Sequence, residues 1–122
     1  MQLLEDPNIA TYQIQSYQLG CIIINGQKYQ QSLIIMPDRL ITTWPVKNIA
    51  DLSIDNIAAI TAYAPKVILL GTGNQPSFID PSLFQPLINL KIGMEVMHTA
   101  AACRTYTILA AEGRQVAAAL II

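Results

Sequence analysis

The run Lys66-Val67-Ile68-Leu69-Leu70 carries four consecutive apolar residues with no polar alternation. It limits the folds open to this chain more than any other feature. A strand that is wet on one face alternates, whereas one without alternation suits a central strand covered on both faces. The neighbouring segments read as the elements that cover it. Ser53 caps a helix whose Ile54, Ile57, Ala58 and Thr61 line one face, and Pro65 stops it. Asp80-Pro81 reads as an N-cap with proline at the first helical position, and Pro86 makes that helix short or kinked. Gly93-Met94-Glu95-Val96-Met97 reads as a strand. Thr99 is expected to cap a helix over 100–112, ended by Gly113, with an apolar stripe of Ala102, Cys103, Tyr106, Leu109 and Ala110. Residues 115–121 close as another apolar strand. The order β, α, β, α, β implies crossovers onto a largely parallel sheet.

The first 45 residues have a different period and read as an antiparallel β-meander. Tyr12-Gln13-Ile14-Gln15 alternates, and Cys21-Ile22-Ile23-Ile24 runs into Asn25-Gly26, the pair preferred where both turn residues need positive φ. Residues 29–36 supply the return strand, Pro37-Asp38 a turn, and 40–44 a further strand. The expected fold class is therefore α/β. With no repeat, low-complexity tract or linker, residues 1–122 read as a single domain.

Hydrophobic residues make up 52% of the chain and charged ones 12%, against a usual charged share of ~25%. That balance excludes disorder and leaves little charge to cover the surface, which points to a protein partner or a homo-oligomer. The formal net charge is −1 and the seven Lys and Arg are scattered singly, so no nucleic-acid partner is expected. The acidic start, Met1 to Asn8, lacks the features of a secretory signal or a mitochondrial presequence. The apolar runs are far shorter than the ~20 residues that span a bilayer. The expected location is cytoplasmic, with no membrane insertion. Cys21 and Cys103 are too few and too far apart for a zinc site or CxxC pair, and both read as small buried hydrophobes.

No cofactor or metal is expected. Gly71-Thr72-Gly73 follows the apolar strand as a dinucleotide-binding turn would, but the third glycine, the immediate helix and the acidic residue ~20 positions on are missing. A different ligand site is readable there. In open α/β sheets ligands gather beyond the carboxyl ends of parallel strands. Those ends would bring Gly71, Thr72, Gly73 and Asn74 near His98, Thr99 and Ala100, where a helix N-terminus can hold a small anion or carboxylate. His98, the single histidine, reads chiefly as an exposed residue before the cap and secondarily as an acid or base. Glu95 reads as a general base or as a polar group at the sheet edge. A Cys103–His98 catalytic pair is disfavoured because Cys103 lies on the apolar stripe. Arg104 and Tyr106, with Glu95, are the candidate interaction residues. Trp44 reads as core.

The segment Thr99-Ala100-Ala101-Ala102-Cys103-Arg104-Thr105-Tyr106, preceded by Gly93-Met94-Glu95-Val96-Met97, is distinctive. With Leu109, Glu112-Gly113-Arg114, Val116 to Leu120, Gly71-Thr72-Gly73, Asn25-Gly26, Ser32-Leu33, Pro37 and Trp44, it resembles a widespread family of small domains of unknown function. That family includes a human adipogenesis-associated domain protein and a mitochondrial respiratory complex I assembly factor. The resemblance covers nearly the whole chain, which looks like the bacterial members. It implies a three-layer α/β fold with a central mixed sheet, in which one strand of the second half runs antiparallel. It also implies a non-catalytic role through protein contacts. The chain departs at His98, where an acidic residue is expected, and at Thr107, where Asn is. The function expected is that of an interaction or assembly factor. The alternative is a small-anion or metabolite-binding domain, possibly an enzyme, using 71–74 and 98–100.

Overall fold

The computed structural model describes residues 10–122. Five strands come first: β1 (Ile14–Gln18), β2 (Cys21–Ile24), β3 (Gln27–Tyr29), β4 (Leu33–Met36) and β5 (Arg39–Ile41). A short 3-10 turn, Ile49–Asp51, leads into α1 (Ile54–Thr61) and then β6 (Val67–Gly71). A 3-10 helix, Pro81–Leu87, precedes β7 (Gly93–Met97), α2 (Thr99–Ala111) and β8 (Val116–Leu120).

The strands form two sheets. One is antiparallel in the order β1-β2-β3, and the other has five strands in the order β5-β4-β8-β6-β7. The fold is mixed α/β. Strands β7, β6 and β8 are mutually parallel, while β4 pairs antiparallel with both β8 and β5. The antiparallel members are thus contributed by the first half of the chain, not by a strand of the second half. The expected single return strand over 29–36 is two strands in two sheets. The exposed polar pair Gln30 and Gln31 separates them, and Leu33–Met36, buried at every position, can only sit where both faces are covered. Likewise the strand expected over 40–44 ends at Ile41, and Trp44 turns into the core at 6% exposure.

The five-stranded sheet separates two apolar cores, and each central strand feeds both by strict alternation. Val116, Ala118 and Leu120 of β8 face α2 and the small sheet, together with Leu69, Leu33, Ile35, Ile22 and Ile24. Ala117, Ala119 and Ile121 face the other way with Ile68, Leu70, Ile34, Trp44, Ile57 and Ile60. Helix α1 and the 81–87 segment cover that second face. Three consecutive alanines in β8 keep it thin, so α2 packs directly on β6 and β8.

The caps have their expected chemistry, with one shift of position. Ser53 and Asn56 form a reciprocal capping box for α1, and Asp80 accepts from the Ser82 N–H at 2.9 Å. Asn25 and Gly26 both have positive φ, at 50° and 82°. On α2, however, the cap is His98, whose Nδ1 accepts from the Ala101 N–H at 3.1 Å, and the helix begins at Thr99. His98 is half-buried, not an exposed residue ahead of the cap. Ile54, placed on the apolar face of α1 by its spacing, is 46% exposed; Ile57 and Ile60 do the burying.

Candidate functional site

The carboxyl ends of β6 and β7, the start of α2 and the end of β8 converge at one corner. The chain leaves β6 through Gly71-Thr72-Gly73 and leaves β7 through Met97-His98-Thr99. The sequence-predicted loops therefore do meet. A single side chain binds them together: the Thr99 hydroxyl donates to the Ile121 carbonyl at 2.6 Å and accepts from the Gly73 N–H at 2.8 Å, inside a fully buried residue. The Thr99 N–H returns to the Gly73 carbonyl at 2.9 Å. Thr72 donates its hydroxyl to the Gln75 carbonyl at 2.8 Å, and its N–H meets the Met97 carbonyl at 2.9 Å.

Gly71 makes this closeness possible. A Cβ built there would lie 2.9 Å from Thr99 Oγ1 and 3.1 Å from both the Thr99 Cα and a Leu120 methyl. Gly73 is needed for a different reason, its φ of +94°. Three of the four leading N–H groups of α2 are already bonded within the chain: Thr99 to Gly73, Ala101 to the His98 ring and Ala102 to the His98 carbonyl. Of the groups predicted to greet an anion, the Thr72 and Thr99 hydroxyls and N–H groups and the Gly73 N–H are engaged within the chain. Asn74 stays exposed outside this cluster, and Ala100 faces a neighbouring cavity of about 480 Å³ that it shares with Arg104, Cys103 and Tyr17.

The remaining candidates are dispersed. Glu95 is exposed on β7, one of the two edge strands of the five-stranded sheet. Arg104 is exposed and takes part in neither of the ion pairs among the described residues. Tyr106 is corrected from interaction residue to core: it is 1% exposed and donates its hydroxyl to the Tyr12 carbonyl at 2.8 Å. Its phenol is pushed up from the ordinary value by burial, with the Asp38 carboxylate adding to that. Burial likewise pushes the Cys103 thiol up to about 12, against a smaller lowering by Arg104, so it is a thiol at neutral pH and no nucleophile. Cys21 is only half-buried. Among the described residues, no three His, Cys, Asp or Glu side chains gather where a metal ion could sit. No helix among them is long and apolar enough to cross a membrane.

Sequence reasoning missed two features. The Arg39 guanidinium stacks 4.7 Å over the Tyr63 ring, a pairing across 24 positions with no local signal. The other is the exposure of Phe78, at 84%, beside Ile54; hydropathy alone places both inside.

The profile of a protein family described as of unknown function, DUF498/DUF598, matches residues 14–121. The chain belongs to this family. Among its curated relatives is a Xenopus tropicalis protein named NADH dehydrogenase [ubiquinone] 1 alpha subcomplex assembly factor 3, 30% identical over 110 residues. That match takes in 88% of this chain and 60% of the relative, so the chain spans well under two thirds of that protein's length. A Francisella tularensis protein named 13 kDa major membrane protein is 25% identical over 99% of both chains. Among solved structures, a solution NMR structure of a Xanthomonas campestris protein superimposes with a TM-score of 0.84 at 39% identity. It covers all of this chain and 92% of the other.

Proposed function

We propose that this protein acts as an assembly factor, holding partner proteins through non-covalent contacts without chemistry of its own, and that it does so in the cytoplasm. The observation that supports this most is the family membership together with relatives named as assembly factors for a respiratory enzyme. The local chemistry agrees. The lone histidine is a helix cap, the buried cysteine is protonated, and the polar groups at the carboxyl end of the sheet serve one another. What remains for contact is surface: exposed Arg104 and Glu95, and apolar side chains in water such as Phe78, Ile88 and Ile108.

The test is native mass spectrometry on the tagged protein purified gently from its own host. The expected result is a stoichiometric complex with at least one other protein, lost when the exposed apolar positions are made charged. Reproducible recovery of this chain by itself, at native abundance, would end the assembly-factor reading.

A further inference from the structure

A groove of about 420 Å³ opens on the face of the sheet opposite α2, between residues 49–54 and 78–83. Its walls are Ile49, Leu52, Ile79 and Leu83, which belong to or pack against the core beneath. At the rim stand Ile54, the first residue of α1, and Phe78, with 46% and 84% of their surface in water. Leaving a large aromatic that exposed gains nothing for folding, since its apolar area stays in water.

The charge nearest this groove is mostly acidic, with Lys47 the neighbouring cation, its backbone N–H donating to the Asp51 carboxylate at 2.9 Å. Asp80 is the only charged residue lining it, and Asp51 and Asp55 lie on the turns that adjoin it. No Lys or Arg occurs between Lys47 and Lys66, nor between Lys66 and Lys91. Lys47 itself borders a different cavity, beside Trp44. An apolar trough flanked by three carboxylates repels nucleic acid and anionic lipid. Neither α-helix described in this chain offers a basic amphipathic counterpart on a second copy, because α1 carries no cation and α2 only Arg104.

We propose that this groove takes an amphipathic helical segment of a partner protein, its apolar stripe seated against Ile54 and Phe78 and its flanks carrying Lys or Arg. A helix laid in a groove presents anchors at i, i+3 or i+4 and i+7, while the basic flanks meet the aspartates and steer the approach. The inference rests on the reading that the protein works by protein contacts, and it names the chemistry of the segment held.

The probe is a labelled helical peptide of leucine and lysine at amphipathic spacing, compared with the same peptide carrying glutamate for lysine. Both are titrated into the full chain by fluorescence anisotropy, with amide NMR shifts to locate the site. The lysine peptide is expected to shift amides over 49–55 and 78–83. The glutamate peptide is expected to bind at least about tenfold more weakly. Added salt should weaken the lysine peptide. Phe78→Lys and, separately, Ile54→Lys should remove binding while leaving the folded spectrum intact. Equal binding of the two peptides, shifts centred elsewhere, unchanged binding by both variants, or no binding of the lysine peptide would each overturn the proposal. A host partner retained equally by Phe78→Lys would overturn the groove but leave the assembly-factor reading standing. A groove that binds the peptide in a protein with no host partner would do the reverse.

Discussion

At the residue scale, Thr99 shows how a neighbour reassigns a side chain. Threonine before an alanine-rich helix reads as a cap, but His98 takes that task, and the freed hydroxyl ties Gly73 to Ile121. Thr99→Val keeps the shape and orphans a buried N–H and C=O. It should cost about 2 kcal/mol, read as a lower urea midpoint at unchanged slope. Gly71→Ala should cost about 1–3 kcal/mol by overpacking against Thr99, and stability equal to the parent would show that the helix end yields freely. Burial also carries a pH signature. The Cys103 thiol is held near 12 when folded against an ordinary 9.0. The unfolded chain therefore releases that proton first, and stability falls as pH rises from about 9 toward 12. Thermal melts across that window should show the fall, and Cys103→Ala should flatten part of it. Tyr106 and Tyr17, both also raised by burial, add to the fall above their ordinary value of 10.0.

At the element scale, helix ends decide more than helix propensity. His98 caps α2 through Nδ1, so His98→Ala should cost about 1 kcal/mol. An aspartate at the same place accepts the same bond and favours the positive end of the helix dipole. His98→Asp should therefore match or exceed the parent in denaturant titration, and a loss as large as that of alanine would contradict the capping role. The 81–87 segment shows the opposite limit. Asp80 and Pro81 start it well, but Pro86 inside it removes a donor, and the chain settles for a 3-10 helix that buries Leu83 and Leu87. The second outcome was legible from local residues, whereas the cap expected at Thr99 fell to His98. The exposure of Ile54 was not legible, because a helix of eight residues has too few turns for spacing to say which of its isoleucines faces the sheet.

At the scale of the whole molecule, the five-stranded sheet is braced on both faces, whereas the β1-β2-β3 sheet packs through only one of its own. Its outer positions, among them Gln15, Gln18 and Lys28, lie in water. Native-state hydrogen exchange should accordingly find the amides of β8 and β6 opening only with global unfolding, and those of β1 and β3 opening at lower free energy. Uniform protection across both sheets would show instead that the small sheet is integral to the cooperative unit.

The residues by themselves determined what is local. The unalternating run at Val67–Gly71 marked a doubly covered strand, Asn25-Gly26 a tight hairpin, and Ser53, Asp80 and Gly113 the helix ends. Each rests on sterics or hydrogen bonds within a few positions. Pairing across the chain was decided only by the tertiary structure: β4 leaving its hairpin neighbours to join β8, Tyr106 reaching back to Tyr12, Thr99 reaching Ile121. Those partners lie between 22 and 94 positions apart. Many alternative pairings satisfy the same local preferences, and only the requirement to bury both faces of one sheet at once selects among them.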